Sequence, residues 1–131
     1  MSPTSFPSSM PTLALSMSPS SFPSSMHTKQ ITKIVAPDGA ADDWFGYSVS
    51  ASDSVVVVGA PEDDDNGSMN GSAYLFSITG EFQTKLVAPD GAAGDWFGES
   101  VSASDSVVVV GAYGDDDNGS MNNGSAYLFS T

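Results

Sequence analysis

The chain repeats itself at a fixed spacing. Lys33-Ile34-Val35-Ala36-Pro37-Asp38-Gly39 returns as Lys85-Leu86-Val87-Ala88-Pro89-Asp90-Gly91, and Trp44-Phe45-Gly46 as Trp96-Phe97-Gly98, each 52 residues later. Val55 to Ala60 returns as Val107 to Ala112, and Asp63 to Asn70 as Asp115 to Asn122. One inserted residue then lengthens the offset to 53, so that Gly71 to Ser77 returns as Gly124 to Ser130. A single domain of unrelated halves is thereby excluded. A period of this size marks a stacked or radial array, in which each unit is one supersecondary element that cannot bury its apolar face alone.

One unit reads as four short strands. Phe45, Tyr47, Val49 and Ala51 alternate with Gly and Ser, the pattern of a half-buried strand whose apolar side faces a core. Ser52-Asp53-Ser54 is a turn signal. Val55 to Val58 is an unbroken β-branched run, suited to a strand covered on both faces. A polar loop from Glu62 to Gly71 precedes a third strand, Ala73 to Phe76. Thr79-Gly80 turns the chain into a fourth, Phe82 to Ala88, which Pro89 stops. No segment shows the 3.6-residue helical period. The expected class is therefore all-β: two four-stranded antiparallel β-propeller blades, an incomplete propeller, since propellers use roughly four to eight blades. The blade repeats span about 33–84 and 85–131, within a repeat region of 29–131. Lys29 to Ala36 corresponds to the fourth strand of a preceding blade, and Ala126 to Phe129 is a third strand. The first strand could thus complete the last blade. Two blades cannot close a ring by themselves, so a homo-oligomer or additional blades would be needed.

Residues 1–28 read differently. Ser2 to Met10 recurs as Ser18 to Met26, and Pro3, Pro7, Pro11, Pro19 and Pro23 interrupt both helix and ladder bonding. Such a stretch buries too little to offset its ordering entropy, so a disordered Ser/Pro-rich, low-complexity stalk is expected. It is not a signal peptide, because it lacks a basic start and Leu13-Ala14-Leu15 is too short for an apolar core. No signal peptide is visible in the chain.

Charge narrows the partners. Sixteen carboxylates face three lysines, giving a formal net charge of −13. Nucleic acid and anionic lipid are excluded, because nothing would neutralise their phosphates. No run of about 18 apolar residues exists, so no membrane insertion is expected. The absence of cysteine removes thiolate catalysis and Cys-ligated zinc. The single histidine, His27, lies in the stalk, so a Ser-His-Asp triad is not expected. Apart from Asp42, Glu62, Glu81 and Glu99, the acids recur in both copies, which leaves no unique catalytic constellation. The chain is expected not to be an enzyme.

Phe45-Gly46 with Gly59-Ala60-Pro61, and Phe97-Gly98 with Gly111-Ala112, resemble FG-GAP repeats, the β-propeller units of integrin alpha chains and of many microbial surface proteins. The Ser-Val strand and Gly-Ser-Ala-Tyr-Leu-Phe follow in the same order in both copies. The resemblance covers about residues 29–131 and departs at Tyr113, which stands where the first copy has Pro61. It implies an extracellular or cell-surface, adhesion-like module that binds a protein or glycan ligand. Many members carry Asp-x-Asp-x-Asp-Gly-x-x-Asp between the first two strands of a blade. Here that connection holds only Asp53 or Asp105, too few oxygens for calcium, and the family site is not carried over.

A different acidic cluster lies between the second and third strands: Asp63, Asp64 and Asp65, repeated as Asp115, Asp116 and Asp117. It is not an EF-hand, because position twelve would be Ala73. Strand alternation places this loop on the same side as the one carrying Asp38, Asp42 and Asp43, or Asp90 and Asp95. Glu62 joins them. The six clustered aspartates are the candidate metal ligands. Calcium is the one cofactor they would suit, bound weakly; a solvated, aggregation-resistant face is the alternative. Asn66, Asn70, Asn118 and Asn123 each open an Asn-Gly-Ser triplet, a formal glycosylation acceptor and equally a tight-turn signal. Trp44 and Trp96 read as anchors at the blade junction, with a sugar-stacking platform as the alternative. A fragment of a larger propeller protein or enzyme, with no separate activity, is a further alternative.

Overall fold

The computed structural model describes residues 28–65, 70–116 and 123–131. The stalk expectation for residues 1–28 falls, but for Thr28, outside the described residues. The chain divides into two units, Met1–Ile31 and Thr32–Thr131. Of the first, only Thr28–Ile31 are described, without regular secondary structure.

The second unit is all-β. Its strands are β1 (Ser48–Ala51), β2 (Val55–Ala60), β3 (Ser72–Ser77), β4 (Phe82–Leu86), β5 (Ser100–Ala103), β6 (Val107–Ala112) and β7 (Ser125–Ser130). No helix occurs among the described residues, so none is long and apolar enough to cross a membrane. The strands form two antiparallel meanders, ordered β1-β2-β3-β4 and β5-β6-β7. Ser52 sets the β1–β2 turn: its hydroxyl accepts the amides of Ser54 and Val55, both at 3.2 Å. The β3–β4 pairing is irregular between Leu75 and Phe76.

Two expectations need correction. The second sheet has three strands, not four, among the described residues. Lys29–Ala36, expected as a strand, has no ladder partner and is not one. Backbone alone does not make a strand. Thr84-Lys85-Leu86 is a strand because β3 pairs with it, whereas Thr32-Lys33-Ile34 forms no ladder with any strand among the described residues. Its side chains nevertheless occupy the equivalent place. Ile34 and Ala36 pack on Val58, Ala60, Tyr74 and Phe76 of the first sheet, as Leu86 and Ala88 pack on the core between the sheets.

The alternation in Ser-Val-Ser-Ala resolves oppositely in the two copies. β1 turns Ser48 and Ser50 inward and leaves Val49 65% exposed, whereas β5 exposes Ser100 and Ser102 and half-buries Val101. The expectation that the apolar side is covered fails for β1. The serine side of β1 meets the second sheet: Ser48 Oγ donates to Gly98 O at 2.8 Å, and Ser50 Oγ accepts Ala103 N–H at 3.1 Å.

The principal core lies between the sheets. Val55, Val57, Ala73 and Leu75 of the first meet Phe97, Val108, Val110 and Ala112 of the second. Phe97 is fully buried and sits edge-on to Tyr127 and Phe129, with ring centroids 5.4 and 6.0 Å away. Its amide donates to Asn70 O at 3.0 Å. The next residue, Gly98, lies so close to the backbone of Ala60 and Ser72 that a Cβ on either Gly98 or Gly59 would collide with main chain. Phe97→Ala should therefore cost about 3–5 kcal/mol. Phe45→Ala, at a half-buried ring, should cost distinctly less; urea unfolding of both variants measures the contrast.

Candidate functional site

Two connections meet at one end of each sheet: the loop before the first strand and the loop after the second. Both are shaped by short-range backbone demands. Asp42 and Trp44 adopt φ of 68° and 63°, and Gly94 and Trp96 repeat them at 85° and 60°. Left-handed backbone costs a non-glycine residue roughly 1–2 kcal/mol. The conformation turns the intervening aspartate inward. Asp43 Oδ2 accepts the Ala40 amide at 2.8 Å, and Asp95 Oδ2 the Ala92 amide at 2.7 Å. Their carbonyls then accept Glu62 N–H at 3.3 Å and Gly114 N–H at 3.1 Å, tying the two loops together.

The four inner aspartates, Asp43, Asp63, Asp95 and Asp115, are each at most 4% exposed. One carboxylate oxygen from each of Asp43, Asp63 and Asp64 lies within 4.8 Å of the others, and Asp95, Asp115 and Asp116 reproduce the arrangement. Of the six aspartates named from sequence, four thus gather in two groups: Asp63 with Asp64, and Asp115 with Asp116. Asp65 turns instead to Lys85, at 3.1 Å. Asp117 lies outside the described residues, as do Asn66 and Asn118. Asn70 is half-buried, and its carbonyl is engaged by Phe97; Asn123 is exposed. The members missing from the sequence set are Asp43 and Asp95. Strand alternation puts their loop on the same side, but spacing alone does not show that the left-handed turn drives them inward.

Lys85 organises the first copy. It stands opposite Tyr74 in the β3–β4 register, and its Nζ lies 2.7 Å from Asp38 and 2.8 Å from Asp63. The Tyr74 hydroxyl donates toward the same two carboxylates, at 2.6 and 3.1 Å. Tyr127 repeats this with Asp90 and Asp115, at 2.7 and 3.3 Å. The partners of Lys85 are unequal. Asp38 and Asp65 are more than 40% exposed, so solvent screens them, whereas the Asp63 side chain is fully buried.

Electrostatics follows this geometry. The Lys85 ammonium, then the Tyr74 hydroxyl, hold Asp38 down to about 2. Burial pushes Asp63 up, but Lys85, the Ser72 hydroxyl and the Asp65 amide together outweigh it and the net shift is downward. Burial raises Asp43 and Asp95, and the neighbouring aspartates add to the rise. Burial and then Asp38 raise the Tyr74 hydroxyl. For Lys85, burial alone would lower the pKa, but Asp38, Asp63 and Asp65 raise it overall.

The pH dependence has two opposed parts. Asp38 and Asp63 titrate below the usual 3.8, so their stabilisation is present above that pH and is lost as pH falls through their folded values, about 2 for Asp38. Asp43 and Asp95 titrate above 3.8, so their contribution is greatest below it and is lost as pH rises through their folded values. Lys85→Met leaves Asp63 buried without its cation and should cost about 3 kcal/mol at neutral pH. The gap between the variant and the parent should narrow below pH 3.8, as the carboxylates of the parent protonate. Urea unfolding at neutral and acid pH measures both.

The aromatic pair beside this end departs from expectation. Trp44 is 48% and Tyr47 53% exposed, and the rings stack at 5.7 Å with an interplanar angle of 25°. Trp44 is therefore no buried anchor. Phe97 of the second copy, fully buried, fills the junction between the sheets instead. Trp96 is half-buried and meets the exposed Tyr113 edge-on at 5.3 Å.

A family model described as the FG-GAP repeat matches residues 28–76 and again 81–129. No curated protein matches the chain significantly. The two matches span well over half of the sequence, and their boundaries follow its internal repeat; the chain belongs to the FG-GAP repeat family.

Proposed function

We propose that this chain is a non-catalytic, propeller-type repeat module working outside the cell or at its surface, where its loop end binds a protein or glycan ligand. The observation that carries the reading is the exposed Trp44–Tyr47 stack. Flat aromatic faces cover the apolar faces of sugar rings or of partner side chains, while their polar edges remain solvated. Asp42 and Glu62, from the loops beside the stack, supply acceptors for sugar hydroxyls or for basic groups of a protein partner. The family assignment supports the module, and the extracellular setting rests on what FG-GAP repeats typically are. A glycan array probed with the full chain tests it. Trp44→Ala should abolish the signal while changing stability by less than about 1 kcal/mol, as for other surface substitutions. An array without signal, or binding indifferent to Trp44, removes the glycan arm.

The paired carboxylate groups favour a second reading, weak calcium binding. Calcium takes roughly six to eight oxygens. Asp43, Asp63 and Asp64 bring carboxylates together, and Asp95, Asp116 and Asp115 do the same. In the first group Lys85 already claims Asp63, so cation binding there competes with an internal ion pair. Affinity in the class of extracellular modules, on the order of 10⁻⁴–10⁻³ M, is expected. Calorimetric titration should show calcium uptake that Asp95→Asn weakens; no heat at about 10 mM calcium, well above that class, rejects the reading.

A further inference from the structure

The chain makes one interface between its own two sheets and displays both halves of that interface again on its outer faces. On the first sheet, Ser48, Ser50, Gly59 and Ala73 receive the backbone of Phe97-Gly98 and the amide of Ala103. The corresponding face of the second sheet, Ser100, Ser102, Gly111 and Ala126, is open and lines a groove of about 220 Å³. Leu75 on the covered face is 7% exposed, and its counterpart Leu128 on the open face is 70% exposed. The other half behaves likewise. Phe97 and Gly98 are buried in the internal interface, whereas Phe45 is half-buried and Gly46 exposed, with open space around it. Val101 packs on the internal core, and its counterpart Val49 is 65% exposed.

We propose that the open face of the second sheet receives the first sheet of a second copy of this chain, head to tail. Phe45-Gly46 of the incoming copy seats in the groove, and its Thr32–Ala36 segment runs along β7 as the missing fourth strand. Three observations select this occupant. Thr32-Lys33-Ile34-Val35-Ala36 differs from Thr84-Lys85-Leu86-Val87-Ala88 only by Ile for Leu. The segment already packs on its own first sheet as β4 and the residues after it pack on the second, so it needs no rearrangement to reach a neighbour's edge. Charge is complementary: the β3–β4 register, transferred, sets Lys33 opposite Tyr127 and beside Asp90 and Asp115, as Lys85 stands opposite Tyr74 beside Asp38 and Asp63. Among the described residues only β6 pairs with β7, and the open outer edge of β7 favours the same addition. Such a contact is heterologous and closes a ring if the rotation per copy permits. Propellers hold roughly four to eight sheets, so two to four copies complete one.

Light scattering on the full chain, at an ionic strength where the Debye length is about 8 Å, tests the assembly. The expected mass is two to four times 13.4 kDa. Leu128→Glu and Val49→Glu alter opposite halves of the contact at exposed positions, so each should keep the parent circular dichroism and run as a single chain. An equimolar mixture of the two variants retains one intact interface and should form a dimer that neither forms alone. A single-chain mass for the parent at every concentration overturns the proposal and leaves the face to repeats outside this sequence. Oligomers that persist in both variants, or a mixture that stays single-chain, overturn it as well, because a face-to-face or edge-only association gives those results.

Discussion

The seat of Phe97-Gly98 on the first sheet is the contact on which the rest of the structure depends. A small antiparallel sheet of Val, Ala and Ser has two faces to cover and only one chain to do it with. Here the second repeat covers the first through a buried ring, a backbone close enough to exclude any Cβ, and two serine hydroxyls bonded to main chain. Apolar burial supplies the attraction. The hydroxyls and glycines set how near the sheets come, and so fix the angle between neighbouring repeats. The identical Ser-Val-Ser-Ala segments are polar-in at one end of the chain and polar-out at the other because this contact has a direction.

The loop end answers a different constraint. A chain of net charge −13 buries four aspartates, which is tolerable only where each finds donors. Asp43 and Asp95 find them in their own turns, at the expense of left-handed backbone at Trp44 and Trp96. Asp63 finds a lysine delivered by the last strand of its own sheet. The same turn carries a tryptophan directly after the buried aspartate in both copies, exposed at Trp44 and half-buried at Trp96.

Much of the fold was legible in the residues. The Val55–Val58 run, the Thr79-Gly80 turn and the repeat itself gave the all-β class and nearly every strand. Legibility stopped where a neighbour decides the outcome. Alternation in β1 shows that two sides differ, but not which side another sheet will cover. Lys29–Ala36 has the composition of a strand and lacks the partner that would make it one. Six acidic positions could be read as a cluster, yet the split of Asp65 toward Lys85 and the arrival of Asp43 depend on register and on φ, neither of which composition encodes.

The near-identity of the two repeats also bears on how the chain reaches this state. β2 and β6 have the same sequence, as do β3 and β7. Locally, β2 pairs as well with β7 as with β3. Chain entropy separates the alternatives: the loop closed by β2 and β7 is several times longer, and each doubling adds about 0.6 kcal/mol. Strand exchange between repeats is thus a built-in competitor during folding, as in other tandem arrays. The features that break the degeneracy are few. The extra residue at Asn123, the Tyr113-Gly114 pair in place of Pro61-Glu62, Glu99 in place of Tyr47 and the presence of β4 beside β3 mark one copy from the other, and they act as sorting signals as well as structure.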